Sequence, residues 1–381
     1  MKDASGKNWW ETRPAIASTP DESWSWRQHL GIAISRCVDQ IIVLFIATLT
    51  TLLALPLSMR PSILKRDRDE RAFYCDLAER GDADTFYLKP VGAPEVQMKS
   101  IGPHRFLLRF NSQFQAVNPA LRAQYQRHSK NATAHAQYWC HGDRPRPTLC
   151  VIHGFMLDAY SVNSRLFSLE WFYRQGYDIL LYTLPFHGYR QGLLSPFSGH
   201  GYFAHGPLHV NESFAQAVFD FRHLLNWLEE RGTPQFGVTG ISLGGYTTAL
   251  LASVEKRLSF AAPIVPPCNL VDVAYRWFPL GLLLKFLMKL IGIGRSEARH
   301  TLAVTSPLTW SPAIPSDRLL IVAAPGDAIT YPDHHYTLHR HWRGSQWISY
   351  PGGHLLHFGK RRYIKALREL MARADFDPPA E

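Results

Sequence analysis

The sequence predicts an α/β protein: a mostly parallel sheet covered by helices on both faces, with a helical cap inserted late in the chain. Three observations carry this. Short apolar runs of strand type alternate with helix-compatible stretches from about residue 84 onward, and such alternation implies right-handed βαβ crossovers. One of these runs ends in Gly240-Ile241-Ser242-Leu243-Gly244-Gly245, and a helix-compatible run follows at once. Between Pro266 and Pro312 the alternation breaks, and residues 275–293 become intensely apolar.

The elements follow in chain order. Residues 1–83 read as an extension. Residues 1–26 are polar and dotted with Trp, without helical period, whereas residues 41–57 form an uncharged apolar run at the short end of what spans a bilayer. This run begins after Arg36 and Asp39, too far along to resemble a cleavable signal peptide. Arg60, Lys65, Arg66, Arg68 and Arg71 crowd its C-terminal side, against Arg27 and Arg36 before it. If the run spans, the positive-inside rule makes the protein membrane-associated with the rest of the chain on the cytoplasmic side. The alternative is a helix packed on the main domain, in keeping with Pro56 and the three threonines.

Residues 84–375 then form the main domain. Residues 85–88 and 105–110 read as early strands. Thr148–Ile152 is a short buried strand, followed by the loop His153-Gly154-Phe155 and a helical stretch through Arg174. Residues 177–184 form another strand, closing in Pro185-Phe186-His187-Gly188. Residues 212–231 place Phe214, Val218, Phe221, Leu224, Leu225 and Leu228 on one helical face. Strand-like runs recur at 260–265, 318–323 and 347–350, and residues 363–372 make a closing helix. The insertion at about 267–312 reads as a cap. Its Lys285 and Lys289 stand one helical turn apart on an otherwise greasy surface, an arrangement suited to meeting lipid.

Composition narrows the classes. With 381 residues, 46% hydrophobic and 19% charged, the chain buries one large core or two modest ones and is not disordered. A net charge of +10 suggests an anionic partner. The basic residues are scattered and no nucleic-acid module appears, so a membrane surface fits better than nucleic acid. The five cysteines are odd in number and lack CxxC spacing, which suits a reducing compartment and argues against a disulfide framework or a zinc site.

A serine between two glycines at a strand-to-helix turn has its hydroxyl pushed out into a cleft, with the helix N-terminus aimed at whatever it attacks. It needs a base, and the base needs a carboxylate to hold its tautomer. Asp327 lies just beyond the apolar run Leu319 to Ala323, and His354 just beyond 347–350. Parallel strands bring these ends to the same sheet edge as Ser242. His357 is the rival base and Asp333 the rival acid. His187 and Asp158 lie in loops at that edge, within reach of a substrate, though surface or capping roles suit them better.

With these motifs in place, residues 84–375 resemble the α/β-hydrolase superfamily, on Gly240-Ile241-Ser242-Leu243-Gly244-Gly245, Gly326-Asp327 and Gly353-His354. The resemblance implies the α/β-hydrolase fold. It makes Ser242 nucleophile, His354 general base and acid, and Asp327 the orienting acid, with the Leu243 and Phe155 amides as oxyanion hole. It implies a serine esterase of lipase-like type, without metal or organic cofactor, acting on a small-molecule or lipid-like acyl substrate. Acyl transfer, thioester cleavage and a non-catalytic, membrane-tethered scaffold remain open on the same residues. The loop at 184–188 lacks the acidic residue frequent in the family at this strand end.

Overall fold

The computed structural model describes residues 6–12, 22–142 and 144–378; the remainder of the Trp-dotted N-terminal stretch lies outside them. Among the described residues nine strands form one sheet: β1 (Gln97–Gly102), β2 (Arg105–Asn111), β3 (Thr133–Trp139), β4 (Thr148–Ile152), β5 (Asp178–Tyr182), β6 (Phe236–Ile241), β7 (Leu258–Ile264), β8 (Leu320–Ala323) and β9 (Gln346–Ser349). Their order is β1-β2-β3-β5-β4-β6-β7-β8-β9. The first three strands and the β3/β5 pair are antiparallel, and β5 through β9 are parallel.

Both faces of the parallel part are buried, as its continuous apolar strands require. In β4, Cys150 and Ile152 enter one core while Leu149 and Val151 enter the other. The first core is closed by the helices Pro207–Glu230 and Leu243–Val254, the second by Leu169–Arg174 and Arg361–Arg373.

Two expectations change here. Residues 85–88 are not a strand: the Asp82 side chain accepts the Thr85 amide (3.1 Å) and caps the short helix Ala83–Phe86, a local bond that outweighs strand propensity over so few residues. The antiparallel edge also contains β1 and β3, which the period of the sequence does not announce.

The N-terminal segment is packed into the domain. Trp9 and Trp10 are buried, and Trp10 stacks on His300 with ring centroids 4.8 Å apart. The helix Pro61–Arg80 brings Tyr74 to Glu212 (2.5 Å). Ahead of it, residues 26–58 form one continuous helix, long and apolar enough to cross a membrane by length and composition. It starts from a capping box, Ser25 with Gln28. Thr48, Thr50 and Thr51 return their hydroxyls to the carbonyls of Leu44, Ile46 and Ala47 (2.7–2.8 Å), which satisfies them on an apolar helix. Pro56 supplies no N–H, and over Thr50–Ala54 just before it the helix widens to a π turn.

The cap comprises Leu270–Arg276, Leu280–Leu290 and Arg295–Thr301. Leu280 packs with Ala47 and Leu55 of the N-terminal helix.

Candidate active site

Ser242 is built as the sequence pattern requires. It leaves β6 with φ 56° and ψ −118°, in the left-handed half of the backbone map where non-glycine residues are strained. Its amide is held by the Ile264 carbonyl (3.0 Å) of β7, and its own carbonyl accepts the Tyr246 amide (2.8 Å). A side chain at Gly240 would strike the Gly244 backbone, and one at Gly244 would strike the Ile152 and His153 carbonyls. The turn therefore closes only with glycine on both sides. Gly154, after β4, comes close to Ser242: a Cβ there would lie 3.4 Å from the serine Cβ. Leu243 opens the helix, so its N–H has no intrahelical acceptor. Among the described residues the Phe155 amide donates to no backbone carbonyl. His153 fixes that loop by accepting the Leu184 amide on Nε2 (3.1 Å).

Beyond β8 and β9 stand Asp327 and His354, with His354 Nδ1 2.7 Å from Asp327 Oδ2. Asp327 is fully buried and well satisfied. Oδ1 accepts the amides of Ile329 and Thr330 (both 2.8 Å), and Oδ2 also accepts the Thr330 hydroxyl (2.8 Å). Burial alone would raise its pKa, but His354 and His335 beside it hold the carboxyl well below the usual carboxylate range. Burial likewise works to lower His354, and the Asp327 carboxylate overcomes it, leaving this imidazole raised above its ordinary value.

Comparison with known proteins agrees with this architecture. The family model described as alpha/beta hydrolase domain containing 18 matches residues 210–275, which include the serine turn. An acetyl xylan esterase from Paenibacillus sp. R4 superposes with TM-score 0.54 at 14% identity, over 80% of this chain and 94% of that one. Acetyl xylan esterase 1 from Thermoanaerobacterium sp. JW/SL YS485 gives the same TM-score and identity over 80% and 93%. The chain has the α/β-hydrolase fold. In sequence, the chain is 30% identical over 239 residues to "Uncharacterized protein Rv2627c" of Mycobacterium tuberculosis (strain ATCC 25618 / H37Rv), covering 59% of this chain and 54% of that one. It thus spans about half the length of the curated relatives it matches.

The rival residues are engaged elsewhere. His357 has Nδ1 on the Tyr363 hydroxyl (2.9 Å) and Nε2 on the His354 carbonyl (3.0 Å), and burial depresses its pKa to about 4. Asp333 is taken by the Arg276 guanidinium in a two-pronged pair (2.7 and 2.5 Å). His187 is not at the surface as its loop position suggests: it is fully buried, with Nδ1 on the Pro185 carbonyl (2.8 Å). Asp158 accepts the Ser198 hydroxyl.

Sequence reasoning missed the second carboxylate at this corner. Asp39, from the N-terminal helix, is fully buried and accepts the His354 amide (2.6 Å), the Leu355 amide (3.3 Å) and the Ala328 amide (3.4 Å). Burial, then the nearby Asp327 charge, raise its pKa to about 6. The loops approach the helix closely: a side chain at Gly353 would meet Asp39 and Ser35, and one at Gly326 would meet the Ile32 carbonyl. The available signal was an acid directly preceding a long apolar run.

Proposed function

We propose that this chain is a serine hydrolase that cleaves a carboxylic ester or related acyl bond through an acyl-serine intermediate. The observation that carries the reading is the strained Ser242 turn at the same sheet edge as the buried Asp327–His354 pair. In this reading His354 takes the Ser242 hydroxyl proton through Nε2, while Asp327 holds its Nδ1–H and steadies the imidazolium. The serine oxygen adds to the acyl carbon. The negative oxygen so formed turns to the Leu243 and Phe155 amides, each worth about 3 kcal/mol of transition-state stabilisation in such sites. The imidazolium then protonates the departing oxygen, and water repeats the sequence in reverse to release the acid. Asp39 is a positioning residue: it holds the backbone that carries His354.

A hydrophobic acyl substrate, presented at a membrane surface, is supported by two exposed apolar faces that adjoin. The N-terminal helix exposes Trp26, Leu30, Ile34, Ile41, Phe45 and Leu52 on one side, while Ser35, Asp39, Val43 and Ala47 of the opposite side are buried on the domain. The cap helix exposes Leu282, Phe286 and Leu290 beside exposed Lys285 and Lys289. The N-terminal helix touches the domain along its length, from Gly31 at Phe358 and Pro351 to Leu53, whose carbonyl accepts from His200 Nε2 (3.1 Å). This favours a helix lying in the interface over one standing across the bilayer, and such a helix takes no sidedness from its flanking charges.

The test is labelling by a fluorophosphonate probe, comparing the wild type with Ser242→Ala. Labelling of the wild type alone is expected. A folded wild type that does not label would remove the hydrolase reading, and equal labelling of the variant would move the nucleophile elsewhere.

A further inference from the structure

A second group of functional side chains lies away from the serine turn. His205 and His209 bracket the start of the helix Pro207–Glu230, and His128 arrives from a turn nearly eighty residues earlier in the chain. Their rings converge, with centroids 4.9 Å (128–205), 5.2 Å (128–209) and 4.9 Å (205–209) apart. One nitrogen from each lies within 4.8 Å of the others. We propose that His128, His205 and His209 form a binding site for a divalent transition-metal ion of the zinc class.

Two features support it beyond proximity. First, His209 is only 1% exposed, and its Nε2 is buried without a hydrogen-bond partner. A buried nitrogen normally finds a partner. Second, the other side of the same ring interacts with the Gly201 backbone carbonyl. That leaves Nε2 with the lone pair, the arrangement by which ligating histidines are oriented.

The donor set is three imidazoles, which suits zinc, cobalt, nickel or copper rather than magnesium or calcium. Tetrahedral zinc would set the nitrogens about 3.3 Å apart, so closure needs ring movements of roughly 1 Å. The half-exposed His128 and His205 leave the fourth position toward solvent. Arg66, which reaches the His205 carbonyl (2.8 Å), is paired with Asp67, so its charge is offset locally. The Asp67 Oδ2 is itself buried without a partner beside Gly206.

This site is independent of the reaction at Ser242, and so is its test. Full-length, tag-free protein is washed with chelator and titrated with Co²⁺ in the visible range, then with Zn²⁺ by calorimetry. One equivalent is expected, with the bands of a low-coordinate cobalt centre. His128→Ala with His205→Ala should weaken binding by about a hundredfold or more, while the exposed His29→Ala should leave it intact. Both altered side chains are half-exposed, so folding should survive, as circular dichroism would verify; His128→Ala alone serves if the pair unfolds. Wild type binding no tighter than these variants would overturn the proposal, as would stoichiometric binding lost in His29→Ala.

Discussion

Two groups of histidines in this molecule have opposite electrostatics. At the sheet edge, His354 and His335 share the Asp327 carboxylate. At the start of the Pro207–Glu230 helix, His128, His205 and His209 pack against one another and against Phe186, and among the described residues no carboxylate hydrogen-bonds to them. Burial works to lower His354, His128, His205 and His209 alike, but only at His354 is it overcome: His354 is raised, whereas His209 lies well below its ordinary value. A carboxylate partner makes a histidine a base that can hold a proton. Without one, the same ring keeps its lone pair and is suited to a metal. Residue type does not separate the two roles; the charge buried next to it does.

The comparison breaks most visibly at the serine corner. Ser242→Ala or His354→Ala should lower kcat by about 10⁴-fold or more in an ester assay. His128→Ala should leave kcat within a few-fold, and so should His357→Ala. A large loss in His357→Ala with none in His354→Ala would reassign the base. Asp327→Asn should cost about 10⁴-fold in kcat with little change in KM, since the amide no longer enforces the tautomer.

Asp39 sharpens the contrast, because its carboxylate acts on the backbone of His354 rather than on its ring. Asp39→Ala should lower kcat by roughly 10- to 100-fold through misplacement of the imidazole, and Asp39→Asn should recover part of that. Removing the Asp39 charge also lowers the His354 pKa, since that charge helps to raise it. The acid limb of the kcat/KM profile, which needs neutral His354 and should lie above pH 6.5 in the wild type, should therefore move to lower pH in Asp39→Asn. A role in folding alone would leave the limb where it was.

Stability gives a smaller effect. The folded Asp39 pKa of about 6 exceeds the ordinary 3.8, so the native state binds the extra proton between those values. That contribution is complete below pH 3.8 and is lost as pH rises through about 6. Urea midpoints across this window should fall more with rising pH in the wild type than in Asp39→Asn.

The smallest effect concerns the membrane face. Lys285→Glu with Lys289→Glu should reduce sedimentation with phosphatidylglycerol vesicles severalfold, at about 1 kcal/mol per lysine, without altering hydrolysis of a soluble ester. Unchanged vesicle binding would remove the lysines from that face.

Much of the parallel sheet is legible in the sequence because each strand inside the edge strand β9 is buried on both sides and must be largely apolar, as in Thr148–Ile152 and Leu258–Ile264. Ser242 is legible because only glycine fits on either side of so tight a turn. Asp327 and His354 are legible because each follows a strand of the same sheet. β1 and β3 are less so: β1 is largely exposed and β3 is buried without clean alternation. Asp39 is invisible as a site residue because it acts across 315 positions, on backbone amides that carry no sequence identity. The three histidines share that difficulty, since His128 joins the other two only through the packing of Phe186 and Tyr125. The sequence by itself determined the elements whose burial is local and periodic, and with them the serine turn. Only the tertiary structure decided which acid lies behind which histidine, because a pKa is set by neighbours in space and not in sequence.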